Sequence, residues 1–332
     1  MKITAPPDRS LSLIPQGVAT LLPEATVARR KIESKGMTVL RNHGFQEVIT
    51  PLFEYLDVLS LGMGEDLIAK GYKLIDRTSG RLMLLRPDVT PQIARMVSMH
   101  FQDNPKPLRL CYFANVFRHE EAHAGREREI FQIGGEIVGN EDAATDAELL
   151  AVVMALLKSL KLRDFRIVLG HAGFVKSLVN RAPLRIRKEV RSAIARKEIS
   201  RLNALFEKEK IRPEISGPLS GICRLIGKEE VFASARRLIS DPESVTALEH
   251  LKRIYGILKG KGISEPVILD LGEVRDFDYY TGMVFEIFLD GAGSEVGGGG
   301  RYDDLIGKFG YDIPSRGFAL DVEVLQMAAD RG

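Results

Sequence analysis

The pentapeptide HEEAH, His119 to His123, has the H-E-x-x-H spacing of zinc proteases, in which two histidines one helical turn apart share a metal and the glutamate activates its water. That chemistry needs a helix. Here the pentapeptide lies at the tip of a hairpin between two β-rich runs, with Gly125 two residues on, so the histidines do not converge and no metal is expected. The run Gly297–Gly300, followed by "RYDDLIGKFG", raises a second possibility, a phosphate cradle. A P-loop requires G-x-x-x-x-G-K-S/T, and Lys308 precedes Phe309 at the wrong spacing from Gly300, so it is not one. Such glycines also mark a strand that a neighbouring backbone or a ligand approaches closely.

Two further stretches suit a small polar solute. In "FQIGGEIVG", Gln132, Gly134 and Glu136 fall on one face of a strand, while Phe131, Ile133 and Ile137 fall on the other. One face can floor a pocket and the other supply core. In "EVRDFDYYTGMVFE", charged and aromatic side chains flank Tyr279 and Tyr280, as recognition of a small charged, aromatic solute requires. Each stretch is also compatible with an ordinary amphipathic strand.

The elements around these groups read as α+β. A helix is expected from Pro23 to His43, closed by Gly44, and a second one entered at Thr90-Pro91, where proline at the first helical position is tolerated. "KLIDRTSGRLMLL" reads as two strands about a turn, and Arg109–Phe117 with Glu129–Gly139 as a hairpin whose loop is the eleven-residue "RHEEAHAGRER". Helix formers dominate Ala172 to Gly262, and β character returns after Pro266. The glycine cluster then leads to a closing helix within Arg316 to Asp330, which opens on Asp321 and Glu323 with Val324 where a cation could have stood. Strand-rich flanks around a helical middle imply three parts: core over 1–171, an inserted helical domain over 172–262, and core again over 263–332. Antiparallel hairpins with helices to one side favour a mostly antiparallel sheet.

Composition narrows the setting. With 45% hydrophobic and 28% charged residues, and no apolar run of membrane-spanning length, no membrane role is expected. Two cysteines and no signal-like amino terminus point to the cytoplasm. The net charge of +2 conceals a division: Ala172 to Gly262 holds twenty Lys and Arg against ten Asp and Glu, so the rest of the chain is acidic. That basic segment is either a solvated helix face or a footprint for RNA or an acidic protein.

Together these stretches resemble the catalytic core of a class II aminoacyl-tRNA synthetase, specifically histidyl-tRNA synthetase. "FQEVITPLFE" is similar to motif 1 of that family, its dimer interface, and "FRHEEAHAGREREIFQIGGEIVG" to motif 2. "LRPDVTPQIAR" and "VRDFDYYTGMVFE" resemble two signatures of the histidine enzyme, and "GGGGRYDDLIGKFG" the segment before motif 3. The resemblance covers nearly the whole chain, insert included. It implies a dimer, and it implies that Asp88, Thr90, Arg118, Gln132, Glu136, Arg275, Tyr279, Tyr280 and Tyr302 hold L-histidine. Histidine needs a carboxylate for its ammonium, a cation for its carboxylate, and polar partners at both ring nitrogens, all of which this set contains.

The departures from the family are as informative. Motif 3 there ends in a glycine, a variable residue, Glu and an Arg that grips ATP. The same register here reads Asp321, Val322, Glu323, Val324. Loss of the cation removes charge-assisted hydrogen bonds to phosphate, and a new carboxylate adds repulsion, so ATP activation should fail. Motif 2 has "EEAHAG" where the family has "RPQKG", and Phe131 where it has His. The chain's last residue follows soon after, which implies a core without the family's anticodon-binding domain. A core that keeps the amino-acid positions and loses the nucleotide ones resembles the family's regulatory branch. That branch has no catalytic residues or cofactor of its own, responds to L-histidine, and partners a short-form ATP phosphoribosyltransferase catalytic subunit, with nucleic acid not expected as a ligand. The alternative is a histidyl-tRNA synthetase or its isolated catalytic core.

Overall fold

The computed structural model describes residues 14–119, 128–274, 279–290 and 295–329. Its first helix, α1 (Pro23–Asn42), begins with Pro23 in its first turn and ends before Gly44, whose φ of 81° is a left-handed conformation that glycine adopts without strain. Strand β1 (Gln46–Glu47) follows. A small antiparallel sheet is then built from β2 (Phe53–Tyr55), β3 (Lys73–Ile75) and β4 (Leu82–Leu85), with β4 in the middle. The turn between β3 and β4 is held by Asp76, which accepts from Thr78 N–H at 3.0 Å and Ser79 Oγ at 2.5 Å. Short helices α2 (Leu56–Leu59) and α3 (Glu65–Lys70) flank it, and α4 (Thr90–His100) comes next.

The main sheet orders its strands β1, β5, β6, β12, β11, β10, β7, β9, β8. They are β5 (Leu108–Phe117), β6 (Glu129–Val138), β7 (Phe165–His171), β8 (Ile226–Gly227), β9 (Val267–Asp270), β10 (Met283–Leu289), β11 (Glu295–Arg301) and β12 (Ser315–Asp321). Among the described residues only β1–β5 and β7–β9 pair in parallel, so the sheet is mostly antiparallel, as expected of α+β. The hairpin of β5 and β6 closes at Phe117 opposite Glu129. The closing helix α12 (Val322–Ala329) opens directly after Asp321, as expected, but the stretch before it, Ser315 to Asp321, is a central strand that was not expected. The alternation of Gly317 and Ala319 with Phe318 and Leu320 is the physical reason: two large apolar side chains enter the core on one face and two small residues leave room on the other.

Helices cover both faces of this sheet. On one face, α1, α5 (Ala143–Ser159) and α12 bury Ile32, Leu40, Leu149, Val153 and Leu325 against Ile133, Ile137, Phe318 and Leu320. The stretch 172–262 folds into α6 (Ala172–Asn180), α7 (Arg187–Ala195), α8 (Ile199–Lys208), α9 (Pro213–Gly221), α10 (Glu230–Leu238) and α11 (Pro242–Gly260). Its apolar side chains, among them Val190, Leu202, Leu251 and Leu258, join the same contiguous cluster. Asp241 caps α11 by accepting from Ser244 N–H at 2.8 Å, with Pro242 next to the cap. On the other face a smaller cluster forms between Val89, just before α4, Ile93 and Val97 of α4, and Leu110, Tyr112, Val138 and Tyr302. The cavity described next opens beside this second cluster. Among the described residues no helix is long and apolar enough to cross a membrane.

Candidate functional site

Strand β6 alternates as its composition requires. Ile133 and Ile137 enter the core, and Gln132, Gly134 and Glu136 face the other way. Gly134 is needed because Tyr112, across the pair with β5, lies over it: a Cβ there would stand 2.3 Å from the Tyr112 ring. On the far side, Gly317 of β12 pairs with Glu136, and a Cβ on Gly317 would meet Glu136 Oε2 at 1.6 Å. Gly134 thus makes room for the Tyr112 ring, and Gly317 for the buried Glu136 carboxylate. Gly317→Ala is therefore expected to destabilise the protein by about 1–3 kcal/mol through overpacking and to displace Glu136, seen as a lower urea midpoint. A variant with the wild-type midpoint would show that β12 yields freely.

Loop residues bring the remaining groups. Arg86, only 6% exposed, donates from Nε to Asn115 O at 2.6 Å and from Nη1 to Thr50 O at 2.9 Å, which anchors the Arg86–Pro87–Asp88 turn to β5 and to the segment after β1. Asp88 then accepts from Thr90 N–H at the start of α4 (3.2 Å) and from Tyr279 Oη (2.9 Å). Thr90 Oγ1 donates to Glu136 Oε1 at 2.8 Å, and Tyr302 Oη donates to Glu136 Oε2. The rings of Tyr279, Tyr280 and Tyr302 sit together, with centroids 4.8 Å apart for the first two and 5.6 Å for the first and third.

These groups enclose a cavity of about 110 Å³ lined by Asp88, Thr90, Arg118, Gln132, Tyr279, Tyr280 and Tyr302, with Gly317 and Asp321 at its β12 side. About 10–15 Å³ suffices for one water, so the space suits a few waters or one compact polar solute. Seven of the nine residues expected at the site line it. Glu136 does not: it is fully buried directly behind Thr90 and Tyr302. Arg275 lies outside the described residues, as do Glu120 to His123 of the zinc-like pentapeptide. Burial is the main force pushing the Glu136 carboxyl well above the usual range; the Asp88 charge adds to it and the Thr90 hydrogen bond opposes it. The chemistry on offer is recognition. Asp88 presents a carboxylate, Arg118 a guanidinium, and Gln132 Oε1 a buried acceptor with no hydrogen-bond partner among the described residues.

The motif 3 end is built differently. Asp321 Oδ1 accepts from Glu323 N–H at 2.9 Å and Val324 N–H at 3.3 Å, capping α12 with its own carboxylate. Val324, 8% exposed, belongs to the core cluster with Val322 and Leu325. Glu323 pairs with Arg29 of α1 and accepts from Phe131 N–H at 3.2 Å, and the Arg29 guanidinium lies 4.0 Å over the Phe131 ring. Burial, then the neighbouring Asp321, raises the Glu323 carboxyl to about 7, with Arg29 opposing. The position where a cation would face phosphate is filled by apolar packing, and the helix amides are already satisfied. Neither the Asp321 cap nor the Arg29–Phe131–Glu323 cluster was foreseen. An arginine on the buried side of α1, next to Ile32, is the signal that could have suggested the latter.

Known proteins share this sequence and this fold. The family model described as histidyl-tRNA synthetase matches residues 17–325. The chain is 38% identical over 320 residues to an ATP phosphoribosyltransferase regulatory subunit of Geobacter sulfurreducens, covering 96% of this chain and 73% of that protein. It is also 38% identical to a regulatory subunit of the same name from Thermoanaerobacter pseudethanolicus, covering 96% and 83% of the two chains. Among solved structures, it is similar to an ATP phosphoribosyltransferase regulatory subunit/histidyl-tRNA synthetase from Bacillus halodurans, with a TM-score of 0.87, 30% identity, and 95% and 83% of the two chains covered. An apo S. aureus histidyl-tRNA synthetase superposes at a TM-score of 0.66 and 26% identity, covering 96% and 74%.

Proposed function

The chain belongs to the histidyl-tRNA synthetase family, and from that membership we propose that it acts as the non-catalytic regulatory subunit of an ATP phosphoribosyltransferase. Its partner is a short-form catalytic subunit, and the pair performs the first step of L-histidine biosynthesis. The observation that carries this reading is the asymmetry of the site. The amino-acid side retains Asp88, Arg118, Gln132 and three tyrosines around a cavity, while the motif 3 side is closed by the Asp321 cap and the buried Val324. L-Histidine occupies the cavity, its ammonium on Asp88, its carboxylate on Arg118 with Arg275, and its ring between Gln132 and the tyrosine hydroxyls. Glu136 holds Thr90 and Tyr302 from behind. No further cofactor is involved.

Binding regulates only if the two states of the complex differ in histidine affinity, and couplings of about 1–3 kcal/mol are usual. Two copies associate through the motif 1 region, where Ile49 is 91% exposed and Leu52 and Phe53 lie open beside the edge strand β1. Co-expression tests the reading. The protein is expected to purify with a short phosphoribosyltransferase, to confer histidine sensitivity on it, and to show no histidine-dependent pyrophosphate exchange with ATP. Robust exchange by the purified protein would identify a synthetase instead.

A further inference from the structure

We propose that Asp146 is the positioning residue of the pocket: from the opposite face of the sheet it holds β11 and β12 in the placement that brings Tyr302 and Gly317 against Glu136. The inference rests on reading the cavity as an amino-acid site, and it starts from a conflict in the sheet. Arg301 of β11 and Arg316 of β12 are direct cross-strand partners. Like charges in that relation push strands apart. Here the conflict is sharpened by burial, since the Arg316 side chain is fully enclosed and that of Arg301 is 12% exposed.

Asp146 resolves it. It is fully buried in the first turn of α5, where the helix dipole favours an anion. Its Oδ1 lies 2.8 Å from Arg316 Nε and its Oδ2 lies 3.8 Å from Arg301 Nη1. The Arg316 contact is a close ion pair without hydrogen-bond alignment, and Arg316 Nη1 has no hydrogen-bond partner among the described residues, so its compensation there is chiefly electrostatic. Arg316 also donates to Asn140 O, and Arg301 to Glu141 O at 2.7 Å, both in the segment leading into α5. His250 of α11 adds a contact of 3.1 Å to Asp146 Oδ2. His171, edge-on to His250 at 5.5 Å, brings no charge to the cluster, because burial lowers its pKa to about 3.

The residue after each arginine belongs to the cavity side. Gly317 follows Arg316 and packs on Glu136, and Tyr302 follows Arg301 and donates to Glu136. Tyr302 N–H continues the pairing by donating to Ser315 O at 2.8 Å. Asp303 extends the brace: it binds Arg301 Nε at 2.8 Å, and its N–H donates to Thr281 Oγ1 at 2.9 Å, next to Tyr280. Removing the Asp146 charge leaves two opposed arginines in the sheet, and the strands that separate are those that present Tyr302 and Gly317.

The test uses the full chain. It contains no tryptophan and eight tyrosines, three of them gathered at the cavity, so near-UV circular dichroism reports the pocket without any ligand. Asp146→Asn leaves Arg301 and Arg316 opposed without their shared counter-charge, the double variant Asp146→Asn, Arg316→Gln removes the opposition as well, and Leu202→Ala in α8 serves as a destabilised control remote from these strands. Asp146→Asn is expected to change the tyrosine band and to weaken L-histidine binding about tenfold or more by calorimetry, as loss of outer supporting partners does at other sites. The double variant is expected to recover much of both, and the control to keep its band and its Kd within about twofold of wild type. Asp146→Asn with the wild-type band and Kd, a double variant no closer to wild type than Asp146→Asn, or a control that changes equally, overturns the proposal. If Asp146→Asn does not fold, the double variant decides in its place, with folding and a near-wild-type band expected and failure to fold overturning the idea. Wild-type protein that takes up no histidine would sink the amino-acid reading alone, since the tyrosine band still reports positioning.

Discussion

Asp88→Ala is expected to weaken L-histidine binding by about 2–5 kcal/mol, roughly 30- to 5000-fold in Kd, the range for truncating one member of a buried charge pair. Asp88 is 4% exposed, lines the cavity, and is held by Thr90 N–H and Tyr279 Oη. Its removal deletes the ammonium's counter-charge and frees a buried hydroxyl at once. Calorimetry with the protein or its complex measures the loss. Glu136 gives the informative contrast. Glu136→Ala is expected to cost a comparable about 2–5 kcal/mol, because the Thr90 and Tyr302 hydroxyls lose their acceptor. Glu136→Gln should lose far less. Burial already favours the uncharged acid in the empty pocket, and an amide of the same shape still offers an oxygen. If Glu136→Gln were as damaging as Glu136→Ala, the carboxylate itself would be a ligand for histidine. If Asp88→Ala bound normally, the placement of the ammonium would be wrong.

That contrast also marks where sequence reasoning reaches and where it stops. Alternation along "FQIGGEIVG" is a local property, and it placed Gln132 and Glu136 on the cavity face of β6. It could not place them in depth, so Glu136 was expected to line the cavity and instead stands behind Thr90 and Tyr302, residues from α4 and from the turn after β11. The helix from Pro23 and the hairpin of β5 and β6 were legible because caps, glycine stops and β-rich runs act over a few residues. Strand β12 was not, because Ala319 and Leu320 are good helix formers and only neighbours on both sides make Ser315–Asp321 a strand. Buried charge was the least legible feature. Arg316 and Asp146 are each fully enclosed, which composition argues against for either residue alone and which becomes tolerable only when the fold joins them.

Val324→Arg, which restores the family's arginine to motif 3, is expected to destabilise the protein by about 2–4 kcal/mol and to restore no exchange of pyrophosphate with ATP. Val324 packs in the core with Val322 and Leu325, so the longer side chain must either crowd that cluster or leave it with its charge. Activity would still be missing for reasons one substitution does not repair. Asp321 keeps the Glu323 and Val324 amides occupied, and Glu323 stays committed to Arg29 and the Phe131 N–H. Two carboxylates in contact, one already raised to about 7 by burial and by its neighbour, oppose any further negative charge beside them. Urea unfolding measures the first effect and histidine-dependent exchange the second. A stable variant with measurable exchange would mean that the nucleotide side was closed by Val324 alone, whereas an inactive, destabilised one places the loss in the whole arrangement of Asp321, Glu323, Arg29 and Phe131.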